Sequence, residues 1–414
     1  MVRVAAPDGG RSAPVGLDEI RAARELLAGV VSTTPVAGSR ALSQLCAGPV
    51  WFKCENLQRT GSFKIRGAYT RIARLGADQR ARGVVAASAG NHAQGVALAA
   101  HMLGIQACVF MPALAALPKV GATRGYGADV HLVGETVDDA IVEALRYAER
   151  TGAVLVHPFD HPDVIAGQGT VGLELLEQVP DVRTVLVATG GGGLLGGVAA
   201  AVKGQRPDVA VIGVQAEEAA AWPPALAAGA PLTLPDMRTM ADGIAVGRPG
   251  DVTFPQVAGL VDDIVTVSED GIARGLLHCL ERAKLLVEPA GAVTVAALLE
   301  DARRFRPPVV AVLSGGNVDP LVLLHLTQHG MVAAGRYLSL RVRVRDRPGA
   351  LAELLALVGR LGANVLDVAH SRIFESLQLG EVEVELRLET RGPEHRAEVV
   401  AALARAGHSL VEPS

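Results

Sequence analysis

Four short stretches hold residue types that could do chemistry. ENLQRTGSFKIRGAY (55–69) presents Lys64, one of five lysines beside 34 arginines. The amine follows a Thr-Gly-Ser turn and the ring of Phe63, and precedes Ile65. An ammonium held against apolar and aromatic walls is disfavoured, so its pKa falls and the neutral amine becomes a nucleophile suited to a Schiff base. An ordinary lysine sits on a solvated face, as Lys203 in AVKGQRP reads, so the neighbourhood and not the residue type carries this expectation. TGGGGLLGG (189–197) follows a β-rich run and opens an apolar helix, where glycine-freed amides make a phosphate cradle. It lacks the Lys-Ser/Thr ending of a nucleotide P-loop. Gly191, Gly193 and Gly196 also satisfy G-x-G-x-x-G, with Glu217 about 20 residues on, as a dinucleotide fingerprint asks. An NAD-dependent oxidoreductase is therefore the alternative, although it explains neither Lys64 nor the other glycine loops. SAGNHAQG (88–95) and SGGN (314–317) each offer Ser, Asn and backbone amides near a helix start, which suit a carboxylate and a ring hydroxyl. His92 on its own reads as a structural histidine, and the carboxylates form no acid/base dyad or metal set.

The elements that must position these residues are legible over 17–335. GVVAASAG (83–90), QACVFMP, HLVG, AVLVHPF, TVLVATG (184–190), VAVIGVQAE and PVVAVLSGG read as strands. Between them NHAQGVALAAHMLG, DDAIVEALRYAERTG and a run near 167–178 read as helices. Short Val/Ile/Leu runs alternating with helices predict a buried parallel sheet, hence an α/β fold. In such folds ligands bind at the carboxyl ends of strands, where SAGNH, GGGG and SGGN all fall. After HGMVAAGR (329–336), a Gly-containing connector, the pattern changes. YLSLRVRVR alternates Leu338, Leu340, Val342 and Val344, and Leu351, Leu354, Leu355, Val358 and Leu361 follow at helical spacing. NVLDVAHSRI and GEVEVELRLET are further strands, EHRAEVVAALARAG a second helix, and HSLVEPS ends the chain. This predicts a separate βαββαβ domain with helices on one side of a half-exposed sheet.

Composition narrows the class. The 414 residues predict two or three folding units, and 50% hydrophobic with 20% charged residues is enough for buried cores. A net charge of −4 offers no basic footprint for nucleic acid or membrane, and 3% aromatics argue against base stacking. No apolar run approaches the ~20 residues of a membrane span. MVRVAAPDGGRSAPVG has no apolar core of a secretory signal. Cys46, Cys54, Cys108 and Cys279 show no metal-binding spacing. A cytoplasmic enzyme is expected.

The order ENLQRTGSFKIRGAY, SAGNHAQGVA, GGGGL, VEPAGA, SGGN resembles the fold type II pyridoxal-phosphate enzymes over roughly residues 17–330, and within them most closely the threonine dehydratases (threonine ammonia-lyases). The resemblance implies a catalytic domain over 1–330 made of two α/β subdomains with parallel sheets, the smaller at approximately 55–155. A linker at 331–336 and an ACT-like regulatory domain at 337–414 would follow. It implies that Lys64 holds pyridoxal 5'-phosphate covalently and serves as the catalytic base, with Phe63 packed on the ring. Asn91 would meet the ring hydroxyl, Gly190, Gly191, Gly192, Gly193 and Leu194 the phosphate, and Ser314 the pyridine nitrogen. Ser88, Ala89, Gly90, Asn91 and His92 would take the substrate carboxylate. The implied reaction is β-elimination of L-threonine to 2-oxobutanoate and ammonia, and of L-serine to pyruvate. A neutral Ser314 would not keep the pyridine nitrogen protonated, which favours rapid elimination over transamination. A serine racemase would place Ser at the position of Ala89, and alanine carries no proton to exchange, so racemisation is not expected. The relatives' cation site is incomplete, since Glu217 matches but Pro223 stands where a carboxylate is needed. No metal is therefore expected. In the ACT-like domain Pro348, Gly349 and Asn364 would hold an isoleucine or valine effector, and a homo-oligomer, dimer or tetramer, is implied.

Overall fold

The computed structural model describes residues 14–371 and 380–411. The expected absence of a signal at the start, the last two residues of the strand read over 364–373, and the chain end after 411 lie outside the described residues. The chain divides into two compact units, one through Val322 and one from Leu323.

Among the described residues of the first unit ten strands form: β1 (Val36–Gly38), β2 (Val50–Lys53), β3 (Val84–Ala87), β4 (Ala107–Met111), β5 (Asp129–Leu132), β6 (Val154–Leu155), β7 (Thr184–Ala188), β8 (Ala210–Ala216), β9 (Asp263–Val267) and β10 (Val309–Val312). They form two sheets, a six-stranded one in the order β1-β2-β10-β7-β8-β9 and a four-stranded one in the order β5-β4-β3-β6. All pairings are parallel except β1 on β2. β3 and β7 are buried along their whole length, as continuous apolar runs covered on both faces must be. The helices Pro162–Gln178, Gly193–Lys203 and Pro289–Glu300 are buried on nearly all sides, because glycine and alanine let them pack at close range.

The departures from expectation have local causes. The strand expected at HLVG runs at Asp129–Leu132, on a sheet edge that leaves most of it exposed. AVLVHPF yields only Val154–Leu155, because the His157 ring then accepts hydrogen bonds from the amides of Phe159 and Asp160 and turns the chain. The helix expected near 167–178 begins at Pro162, with the His161 side chain capping the Asp163 amide. The expected connector at 329–336 is mostly helical: Pro320–Ala333 is one helix that carries the chain from the first unit into the second, and only 334–336 turn.

The described residues of the second unit form a four-stranded antiparallel sheet, in the order β12 (Asn364–Ser371), β13 (Glu381–Glu389), β11 (Tyr337–Arg345), β14 (Ser409–Val411). Leu338, Leu340, Val342 and Val344 are buried with Val382, Val384, Leu386 and Leu388, as the alternation predicts. The helices Ala350–Arg360 and Pro393–Arg405 contribute Leu354, Val358, Val399 and Leu403 to the same core.

The helix Lys64–Ala73, which begins with the lysine, is fixed from behind. Arg66 is fully buried and forks onto Glu55 (Nε to Oε2 2.8 Å, Nη2 to Oε1 2.9 Å) and onto Glu174 (Nη1 to Oε1 2.7 Å, Nη2 to Oε2 3.0 Å). Lys53 Nζ, also fully buried, lies 2.5 Å from Glu174 Oε2, so two cations meet two carboxylates. Beside this quartet the helices Lys64–Ala73 and Pro162–Gln178 cross on glycines. A Cβ on Gly167 would lie 2.5 Å from the Arg66 carbonyl, and one on Gly67 2.8 Å from the Val164 carbonyl. Replacing Arg66 with Leu should lower stability by about 3–5 kcal/mol, because Glu55 and Glu174 lose a buried counter-charge. Urea unfolding reads this directly, and a loss no larger than that of a surface substitution would contradict it.

Candidate active site

The lysine turn is built by backbone geometry. Thr60 (φ 63°) and Gly61 (φ 68°) take the left-handed region in succession. Any Cβ on Gly61 would run into the Asn317 amide, whose Nδ2 donates to the Thr60 carbonyl at 2.6 Å and to Asn91 Oδ1 at 2.8 Å. The Phe63 amide donates to the Ser314 carbonyl at 3.2 Å, and Ser62 pairs with Gly315. The SGGN loop at the end of β10 thus holds the Ser62–Phe63 segment against the sheet. Lys64 itself is half-buried and opens on a cavity of about 580 Å³. Its Nζ donates to the Pro158 carbonyl at 2.9 Å and lies 5.2 Å from the Phe63 ring centroid. Burial pulls its pKa down to about 8, with the Glu288 charge opposing. The lowered pKa expected from the neighbourhood of Lys64 thus has burial as its cause.

Gly190, Gly191, Gly192 and Gly193 connect β7 to the helix Gly193–Lys203 and line the same cavity, with Leu194 beside them. Trp222 Nε1 donates to the Gly190 carbonyl at 2.7 Å, and Thr253 Oγ1 to the Gly191 carbonyl at 2.6 Å. In a trans peptide the N–H points opposite its C=O, so the Gly191 and Gly192 amides face away from those two side chains. No side chain fits here: a Cβ on Gly191 would enter the Phe159 ring, and one on Gly192 (φ 98°) would enter Trp222. A helix start adds further amides without intrahelical acceptors. Asp160 fixes the outer wall by accepting from the amides of Asp251, Val252 and Thr253 at 2.9, 2.8 and 3.0 Å. The cradle has the amides, the space and the helix dipole that a phosphate requires.

The SAGNH loop closes the remaining side. The helix Asn91–Met102 starts here, and Ser88 Oγ accepts from the Gly90 amide at 3.1 Å. Asn91 Nδ2 donates to Glu288 Oε1 at 2.6 Å while its Oδ1 accepts from Asn317, which fixes the amide's orientation and leaves one Nδ2 hydrogen. Glu288 sits just before the helix Pro289–Glu300, and its pKa is pushed up to about 7, first by burial and then by the nearby Asp242. His92 is buried with Nε2 2.7 Å from the Val156 carbonyl, and burial and the Lys64 charge lower its pKa to about 3. A ring so held stays neutral and structural. Ser88, Ala89, Gly90, Asn91, His92, Ser314 and Phe63 all line the cavity with Lys64 and the glycines.

Sequence reading missed Trp222, Phe159, Thr253, Asp160, Lys119 and Asp242, and attached no chemistry to Glu288. Each comes from a distant segment, and only the register of the sheets brings it in. The expected effector residues lie in the second unit. Gly349 (φ 89°) precedes the helix Ala350–Arg360, where Arg347 grips Glu353 at 3.0 and 2.6 Å, and exposed Asn364 opens β12 with Nδ2 3.4 Å from Glu389 Oε2. Glu217 and Pro223 are both exposed. Among the described residues the converging group of metal-ligand types is Cys108, Asp129 and His131, which does not include Glu217.

Residues 27–315 match the pyridoxal-phosphate dependent enzyme family, and residues 338–407 match the ACT domain. An L-threonine ammonia-lyase of Thermotoga maritima is 48% identical over 396 residues, which is 96% of this chain and 99% of that protein. The solved T.th. threonine deaminase superposes with a TM-score of 0.70 at 42% identity, covering 73% of this chain and 99% of that one. Maize serine racemase superposes with a TM-score of 0.72 at 38% identity, covering 76% and 97%. The dinucleotide alternative falls with the family match, and the glycine loop that suggested it borders the cavity of Lys64. The chain is a member of the fold type II pyridoxal-phosphate dependent enzymes, related over nearly its whole length to the L-threonine ammonia-lyases, with an ACT domain following the catalytic core.

Proposed function

We propose that this enzyme converts L-threonine to 2-oxobutanoate and ammonia, and L-serine to pyruvate and ammonia. The observation that carries the reading is a single cavity in which a lysine of depressed pKa faces a glycine cradle, an asparagine–carboxylate pair and a serine. In this assignment Lys64 attaches pyridoxal 5'-phosphate, Phe63 packs against its ring, and Gly190, Gly191, Gly192, Gly193 and Leu194 hold its phosphate. The remaining Asn91 Nδ2 hydrogen is for the ring hydroxyl, and Ser314 is for the pyridine nitrogen. The bound cofactor supplies an electron sink for charge that develops at the substrate Cα.

The chain's own residues do the rest. Ser88 and the amides of Ala89, Gly90, Asn91 and His92 take the substrate carboxylate at the start of the helix Asn91–Met102. Lys64 would take the Cα proton as general base, and a pKa near 8 leaves an appreciable neutral fraction at neutral pH. Ser314 presents a neutral hydroxyl and no fixed negative charge, which would favour elimination over transamination. Ala89 lines the cavity with a methyl group, so no acid stands there to return a proton from the other face.

The neutral amine is the nucleophile, so cofactor capture by the apoprotein should accelerate as pH rises through about 8 and then level off. A lysine of ordinary pKa would still be gaining rate up to 10.5. Stopped-flow absorbance checks this, and borohydride reduction with peptide mapping should place the cofactor on Lys64 and on none of the other four lysines. With L-serine, chiral chromatography should find pyruvate and little D-serine. D-serine formed as fast as pyruvate would refute the role given to Ala89.

We further propose that the second unit senses isoleucine or valine at Pro348, Gly349 and Asn364, and that the enzyme works as a cytoplasmic homo-oligomer, a dimer or tetramer. Gly349 precedes a helix whose N-terminus favours a carboxylate, which supports the reading. Calorimetry of either amino acid into the full chain should give saturable heat that Asn364→Ala diminishes, with a coupling to turnover of about 1–3 kcal/mol. Absence of heat with both amino acids would leave this unit a role in assembly.

A further inference from the structure

Lys119 stands in the catalytic cavity with no part in the assignments above. Among the described residues lining that cavity, the Lys and Arg side chains are Lys64 and Lys119. Lys119 is carried by the helix Leu117–Gly125, and its side chain is 16% exposed. Its Nζ lies 3.4 Å from where a Cβ on Gly90 would be, which sets the ammonium beside the residue that precedes the helix Asn91–Met102. Its present partner is Asp242, with Oδ2 at 3.1 Å, on the short turn Asp242–Ile244. That carboxylate is 63% exposed, so it is answered by water as well as by Lys119. A second cavity of about 370 Å³ shares Ala89, Lys119, Asp242 and Glu288 with the first, so the ion pair stands in the wall between the two.

The charge balance of the cavity makes this pair consequential. Asp138, Asp236, Asp242 and Glu288 line it, and an amino acid brings one more carboxylate. Lys64 cannot answer that charge, because its nitrogen is committed to the cofactor and to the Cα proton. Lys119 is the remaining Lys or Arg among the described cavity residues, and it lies beside Gly90, one of the residues assigned to the carboxylate. Asp242 offers it the same chemical group as the substrate does. A half-exposed ion pair is a weak contact, whereas a carboxylate enclosed against an ammonium and helix-start amides is a stronger one, so the exchange runs toward the substrate.

We propose that Lys119 exchanges Asp242 for the substrate's α-carboxylate, so that this ion pair is what selects an amino acid over an amine of the same side chain. The proposal rests on the amino-acid lyase reading, and the experiment separates the two. Steady-state kinetics with L-threonine are measured on the holoenzyme of the wild type, Lys119→Gln, Lys119→Arg and Asp242→Asn, with the visible cofactor spectrum reporting that each is folded and loaded. Lys119→Gln should raise KM about 10- to 100-fold, with a smaller change in kcat. Lys119→Arg should recover most of the loss, and Asp242→Asn should lower KM, because a competitor for Lys119 has been removed. An unchanged KM in Lys119→Gln overturns the proposal. So does a rise of KM in both Lys119→Gln and Asp242→Asn, which is how a merely structural pair behaves. A wild type that releases no ammonia from threonine or serine refutes the lyase reading instead.

Discussion

A guanidinium taken wholly out of water must be answered by carboxylates, and here that requirement sets the position of the Lys64 amine. Arg66 is two residues beyond Lys64, on the first turn of the same helix. Its two carboxylate partners come from two separate elements, Glu55 from the turn after β2 and Glu174 from the helix Pro162–Gln178. A bidentate grip at each end allows neither rotation nor sliding of the helix that starts with the lysine. The glycine crossing at Gly67 and Gly167 removes the side chains that would otherwise hold the two helices apart. A single methyl group there would separate the guanidinium from its partners, so the charge pairing and the close packing are one constraint.

With the helix fixed, the chemistry of the cavity follows from burial. The same desolvation lowers the Lys64 amine and raises the Glu288 carboxyl, so that their pKa values approach from opposite sides and both groups can change protonation near neutral pH. The glycine cradle is controlled from outside the cavity. Trp222 and Thr253 draw two carbonyls outward, and the amides are turned the other way as a result. Asp160, through three backbone amides, holds the segment that delivers Thr253.

What could be read from the sequence was whatever is local. Lys64 between a tight turn and an aromatic ring, four successive glycines after a strand, and SAGNH at a helix start each suggest a chemistry within a few residues, and all three border one cavity. The alternation in 337–345 and 381–389 likewise gave the sheet of the second unit directly. Lys119, Asp242 and Trp222 left no such trace. Their partners are tens or hundreds of residues away, and neither a lone lysine in LPKV nor a tryptophan before two prolines has a pattern to recognise. The helix Pro320–Ala333 was hidden for another reason: its apolar residues lie all around it, so it has no period to detect, and the glycines near its end suggested a connector.

The strand order of the larger sheet has a consequence for how the protein is made. β10 lies between β2 and β7, with Val309 beside both Val50 and Thr184. The middle of the sheet is therefore missing until the ribosome has delivered more than three hundred residues. Until then β2 and β7 each present an unpaired edge and apolar faces to solvent or to a chaperone. The loop that follows β10 is also the one that pairs with Ser62 and receives the Phe63 amide. Lys64 is made early, yet the contacts that fix the Ser62–Phe63 turn before it come from a loop made about 250 residues later, so its burial must wait for that loop.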